Sequence, residues 1–265
     1  LAGAILLLIV AFLVAESLPV LRRVGLAPFF TDSAWHPVEG LYNLTPMLWG
    51  TLFAMTGAVL VATPLGILSA VFCHYYAPPV VARSYRRLIE LLAGIPSVVY
   101  GFWGLVSLVP LIAKVRLPGT SLLAGIIILT IMILPTIALM ADAALASVPQ
   151  HLLRGAAALG LSRWATIRGV VFPSAKSGLF TGVILETGRA IGETMAVLMV
   201  CGNVVETPGS VFDPIRTLTA NIALEMSFAL GDHRSALFVS GLLLMAIIVA
   251  LAVAAEVISK ERIYG

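Results

Sequence analysis

The stretch Glu186-Thr187-Gly188-Arg189-Ala190-Ile191-Gly192-Glu193 constrains this chain more than any other. It lies inside an apolar run from about 179 to 200. A run of that length suffices for a bilayer core, which takes ~20 helical residues. Yet it holds three formal charges. A single charge at the centre of a membrane helix costs on the order of 2.5–3.5 kcal/mol on insertion scales, so three isolated charges would keep the run out of lipid. Spacing offers a solution. At about 100° per residue, Glu186, Arg189 and Glu193 fall within roughly a 60° sector. Arg189 is then expected to reach Glu193 at i+4 and Glu186 at i−3. Two readings stay open for this pre-paired face: an ion pair that fixes how helices dock, or the charged wall of a transport path.

Composition sets the class. The 265 residues are 60% hydrophobic and only 11% charged, against about 25% charged in soluble domains. This predicts an all-α polytopic membrane protein, because an isolated strand cannot satisfy its backbone in lipid. The net charge of +3 comes without basic runs, so it speaks to topology and implies no nucleic-acid partner. Cys73 and Cys201 read as packing residues at opposite membrane faces. The four histidines lack metal-ligand spacing, so neither a metal nor a cofactor is expected.

Six spans are expected, near 2–20, 48–72, 88–112, 121–141, 177–201 and 236–258. The chain opens inside an apolar run, so a charged flank is expected upstream, and residues 1–20 read as a first span in preference to a signal peptide. Residues 1–47 are taken as the first span with an outer segment. Residues 48–258 form the core, and 259–265 the tail. Nine Lys/Arg lie in the loops 73–87 and 142–176 and the tail, against six on the other side. By the positive-inside bias these loops and the C-terminus are cytoplasmic. Trp35 and Trp49 read as interfacial anchors.

Several features interrupt the spans. Pro64 and Pro135 are expected to kink their helices. In the third span Pro96 breaks the hydrogen-bond ladder, with Ser97 and Tyr100 nearby and Glu90 toward the cytoplasmic end. That break is either a packing kink or a gate, since freed carbonyls at such depth need protein or a water-filled cavity. Gly178, Gly182, Gly188 and Gly192 form two G-x-x-x-G pairs suited to close helix approach. The 35-residue loop 142–176 predicts two short amphipathic helices. The first ends at Gly160 as C-cap. The second runs from Ser162 as N-cap to Phe172 and is ended by Pro173. Such helices either lie on the membrane surface or dock in a partner's groove.

Three motifs carry a family resemblance. They are Glu90-Leu91-Leu92-Ala93-Gly94-Ile95-Pro96-Ser97-Val98-Val99-Tyr100-Gly101, Met132-Ile133-Leu134-Pro135-Thr136 and Arg189-Ala190-Ile191-Gly192-Glu193-Thr194-Met195-Ala196-Val197. With Gly202-Asn203, Thr217–Ala223 and Glu225, they resemble the permease subunit of bacterial phosphate-specific ABC importers, of the PstC type. The resemblance runs from Gly50 to Leu244. The loop 142–176 is similar to the family's coupling element, with Gly160 and Val170-Val171-Phe172-Pro173 holding the register. Arg154-Gly155-Ala156 stands where Glu-Ala-Ala is usual, and Glu186-Thr187 stands where small or apolar residues are usual.

The resemblance implies a type I ABC importer permease fold in a bacterial cytoplasmic (inner) membrane. It implies a PstA-type sister permease, two ATP-binding cassette subunits, and a periplasmic or lipid-anchored phosphate-binding protein. The chain has no G-x-x-x-x-G-K-[ST] loop, so ATP hydrolysis falls to separate subunits. Path candidates are Arg189, Glu193, Glu186, Thr194, Pro96, Ser97 and Glu90. Coupling candidates are Arg154, Gly155, Ala156, Ala157, Gly160 and Pro173. Competing functions are a permease for another oxyanion such as molybdate or sulfate, an ion-coupled secondary transporter using the trio as a proton relay, and an intramembrane enzyme. No internal repeat supports the second, and no nucleophile–base pair supports the third.

Overall fold

The computed structural model describes residues 1–261, and the side chains of 1 and 3–254 among them. The tail residues 262–265, with Arg262, lie outside the described residues. Helices dominate: α1 (Ala2–Val24), α2 (Pro28–Thr31), α3 (Thr45–Val71), α4 (Pro79–Ala93), α5 (Ser97–Trp103), α6 (Val109–Ala113), α7 (Leu122–Ala146), α8 (Gln150–Ala158), α9 (Arg163–Thr166), α10 (Phe172–Gly192), α11 (Met195–Val200), α12 (Leu218–Glu225) and α13 (Gly231–Glu261). A hairpin of two short strands, β1 (Trp35–His36) and β2 (Leu41–Tyr42), pairs Trp35 with Tyr42 in antiparallel register.

By length and composition four helices can cross a membrane, covering 3–24, 45–76, 122–146 and 231–254. A fifth crossing is counted if α4 and the segment 97–113 are taken together. The expected third span is therefore interrupted, not continuous. The chain breaks between α4 and α5, where Pro96 lacks an amide donor. The expected span 177–201 fails the same test. Its helix α10 begins earlier, at Phe172, carries Lys176, Glu186 and Arg189, and stops at Gly192. Pro64 and Pro135 both sit inside unbroken helices.

Three π-helical turns share one sequence cause. They are Phe72–Tyr76, Gly104–Leu108 and Ile167–Val171. Each is followed by one residue and then a proline: Pro78, Pro110 and Pro173. In each case the amide before the proline reaches back five residues, as Phe172 does to the Ile167 carbonyl. A proline ring clashes with the carbonyl four residues back and offers no N–H. Widening the preceding turn moves that carbonyl aside. This is why Pro173 does not end the second loop helix as expected. The chain passes through the π turn and continues as α10.

The chain forms two compact units. The first comprises 1–56, 97–128 and 191–250. Its core joins Val20, Phe29, Trp35, Tyr42, Met47, Leu218 and Leu237, with the Phe29 and Tyr42 rings stacked at 5.4 Å. Trp35 is thus a core residue, not an interfacial anchor, because its indole Nε1 donates to the Glu225 carboxylate at 2.9 Å. Trp49 stays exposed and stacks on Phe53. Thr51 ties α3 to α12: its Oγ1 accepts the Leu218 amide at 3.0 Å.

The second unit comprises 57–96, 129–190 and the chain from Leu251. Small residues let its helices approach. Ala70, Ala141, Ala144 and Ala175 pack with Leu145, Val148, Ile167 and Val171. A Cβ on Gly178 would lie 2.9 Å from Ala144 Cβ, and one on Gly182 would lie 2.8 Å from Met140 Cβ. The first G-x-x-x-G pair is therefore the α10 surface that seats α7. A Cβ on Gly188 or Gly192 would meet open space.

Candidate functional site: a partly exposed guanidinium on α10

Helix α10 brings Glu186 and Arg189 together on one flank, beside α7. The Arg189 side chain is 38% exposed, and Glu186 only 8%. Their nearest charged atoms are 3.8 Å apart. That is an ion pair at its outer limit, longer than the 2.7–2.9 Å of a charge-assisted hydrogen bond. Arg189 Nη1 instead donates to Thr136 Oγ1 on α7 at 3.2 Å. Thr136, one turn beyond Met132 and next to Pro135, was in the family motif but not among the expected site residues. The guanidinium has five N–H donors in a planar fork; one of them is anchored to α7, and the side chain as a whole stays 38% exposed.

Glu193 does not complete the trio as expected. Helix α10 stops at Gly192, so no i+4 geometry exists. The carboxylate Oε1 accepts the amides of Thr194 and Ala196, each at 3.1 Å. It thereby caps α11, whose first-turn N–H groups have no helical partner. The Glu193 carbonyl accepts the Thr219 hydroxyl at 2.9 Å, and the Thr194 hydroxyl donates to the Gly192 carbonyl at 3.2 Å. Of the other path candidates, Glu90 is exposed on α4, Pro96 is exposed at the break, and Ser97 opens α5 half-buried.

Of the expected loop features, the caps at Gly160 and Ser162 form. Helix α8 closes at Gly160, with φ +69°. Leu161 N–H donates to the Ala156 carbonyl at 3.1 Å and Gly160 N–H to the Ala157 carbonyl at 3.0 Å. These two bonds define a Schellman closure, which favours glycine at the left-handed position. Ser162 Oγ accepts the Ala165 amide at 3.3 Å, so it caps α9. Ala156 is buried, while Arg154, Gly155, Ala157 and Pro173 are exposed. Leu159 is 79% exposed and Trp164 56%. This apolar surface is uncovered within the chain.

Two polar clusters were missed by sequence reading. In the second unit Asp142 receives Arg86, with Arg86 Nε 2.9 Å from its Oδ2, and His74 Nδ1 lies 3.3 Å from Oδ1. Ser69 and Tyr85 hydroxyls also bond there. In the first unit Glu225 is the hub. Its Oε1 accepts Arg216 Nη1 at 2.7 Å, and Oε2 meets Trp35 Nε1 and His233 Nε2, each at 2.9 Å. Partners 8, 9 and 190 positions apart leave no local periodic signal. On β2, burial pushes the Tyr42 hydroxyl up from its ordinary value, with Asp232 and Asp32 adding to the rise and Arg23 opposing it.

The fold and the charged helix define a class: a multi-pass helical membrane protein with ionisable side chains on one of its helices. The chain belongs to the binding-protein-dependent transport system inner membrane components, whose family model matches residues 62–263. It is 44% identical over 224 residues to the probable ABC transporter permease protein YqgH of Bacillus subtilis, covering 82% of this chain and 72% of that one. It is 36% identical over 273 residues to the phosphate transport system permease protein PstC of Mesorhizobium japonicum, covering 93% and 83%. Among solved structures it is similar to an inward-facing MetNI methionine ABC transporter, with TM-score 0.64, 20% identity, and coverage of 89% and 99%. At that identity the likeness carries the fold alone: the type I ABC importer permease. The protein is a permease subunit of a binding-protein-dependent ABC importer, whose ATP hydrolysis resides in separate subunits.

Proposed function

We propose that this chain is the permease subunit of an ATP-driven inorganic phosphate importer and forms half of its path. The carrying observation is Arg189: a guanidinium 38% exposed on α10. A cation at membrane depth does not face lipid, and such groups turn to a bundle interior or a water-filled cavity. So this flank faces a path or a second permease. The fork presents several donors to a phosphate oxyanion. Thr136 orients it, and Glu186 offsets its charge without a tight bond. A path must also let its ion leave, and partial neutralisation keeps binding weak. Glu193, Thr194, Pro96, Ser97 and Glu90 are proposed as further path residues. Glu193 does so through the cap that sets where α11 begins. The name shared by the PstC relatives supports phosphate as the cargo.

Six spans are proposed: α1, α3, α4 with α5 and α6, α7, α10 with α11, and α13. Residues 1–47 make the first span and outer segment, 48–258 the core, and 259–265 the tail. The chain would lie in a bacterial inner membrane with 142–176 and the C-terminus cytoplasmic, as the Lys/Arg bias favours. There α8, with Arg154, Gly155, Ala156, Ala157, Gly160 and Pro173 around it, would dock in the ATPase groove, helped by Leu159 and Trp164. The sister permease would be of PstA type, and a phosphate-binding protein would deliver the ion.

The decisive variant is Arg189→Ala in the assembled transporter. Phosphate uptake is expected to fall to background while the ATPase subunits still co-purify. Uptake at the parental rate would remove Arg189 from the path.

A further inference from the structure

The second unit holds a cavity of about 780 Å³ between α3 and the start of α10. Its lining combines two chemistries. Arg168 and Lys176 supply two cations, and Ile67, Phe172 and Phe180 supply an apolar wall. Neither cation forms an ion pair among the described residues. Thr63 also lines the cavity. The path residues use neither cation.

We propose that this cavity is a binding site for one anionic phospholipid of the cytoplasmic leaflet. The phosphate oxygens would take the two cations, and the acyl chains would lie on the apolar wall. A free anion has no use for such a wall, which is why the amphiphile is chosen over soluble phosphate. Basic pockets beside membrane helices on the cytoplasmic side suit anionic headgroups. The inference rests on the proposed orientation, which brings Arg168 and Lys176 to the inner interface, and is independent of the cargo.

The test uses the complete transporter in detergent. Phosphatidylglycerol and phosphatidylcholine are titrated and bound lipid is counted by native mass spectrometry. The parental complex is expected to retain phosphatidylglycerol in preference. The variant R168Q/K176Q is expected to bind it about 30-fold more weakly, the effect of two cations near an anionic lipid. Its melting temperature, without added lipid, shows whether it is folded. If it is not, K176Q alone, at an exposed position, carries the same comparison with a smaller loss. Equal retention by parent and variant overturns the site. So does displacement of the lipid by millimolar inorganic phosphate, which would make the cavity a free-anion site. Orientation is read separately, by labelling Ser174→Cys with an impermeant maleimide in vesicles of known sidedness. Labelling from the outer side alone would sink the orientation while leaving the detergent titration to judge the site.

Discussion

Arg189 and Glu225 show two opposite ways of holding a charge in an apolar chain. Glu225 is 13% exposed and its partners Arg216 and His233 are 19% and 10% exposed. Both its oxygens are engaged, so it is a fastening within the first unit. Arg189 is half free, with one donor on Thr136 and a distant carboxylate. Removing the charge of Glu225 leaves Arg216 without its counter-ion. Breaking a buried pair costs about 3–5 kcal/mol, and partial exposure here reduces that to roughly 2–3 kcal/mol. Glu225→Gln is therefore expected to lower the melting temperature of the purified permease complex clearly, and an unshifted transition would refute the fastening role. Arg189→Lys keeps the charge and loses the fork. A hydrogen bond to a charged group is worth about 1.5–3 kcal/mol, so transport is expected to drop roughly tenfold or more with the melting temperature unchanged. Uptake at parental level in that variant would show that a point charge suffices.

Among the elements, α10 carries the clearest contrast. Its Gly178 and Gly182 are seated against α7, and its Gly188 is open. Overpacking a close helix contact costs about 1–3 kcal/mol. Gly182→Val should reduce the yield of folded permease, because Met140 Cβ would lie 2.8 Å from the new Cβ and cannot swing away. Gly188→Ala should leave yield and melting unchanged. Equal behaviour of the two variants would contradict this assignment of faces. The same two glycine pairs look alike in sequence, since spacing alone cannot say which side of a helix another helix occupies. The prolines behave alike: Pro173 is plain in the sequence and predicts a stop, but a π turn lets the helix pass through it.

For the whole molecule, the decisive question is what covers the apolar residues around α8. Leu159 and Trp164 are exposed on the closed α8–α9 corner. Ala157 is exposed beside them, with no packing role in the chain. Ala157→Trp should leave the permease folded and reduce co-purification of the ATPase subunits, measured as their ratio in affinity-purified complex. An unchanged ratio would place the ATPase contact elsewhere.

The sequence by itself determined the membrane class, the helical backbone, the Gly160 and Ser162 caps and the family. Each of these follows from local chemistry: hydropathy over one apolar run, a left-handed position, a hydroxyl beside free amides, or contiguous motifs. It placed Arg189 with Glu186, since three residues of helix suffice. Tertiary structure decided what no window contains. It ended α10 before Glu193 and turned that carboxylate to a cap. It brought Thr136 to the guanidinium from 53 positions away, drew Trp35 into the core through Glu225, and chose which glycines meet a neighbour. Those outcomes depend on where distant segments lie, and the energy of a side chain's partner enters only once the chain has folded back to supply it.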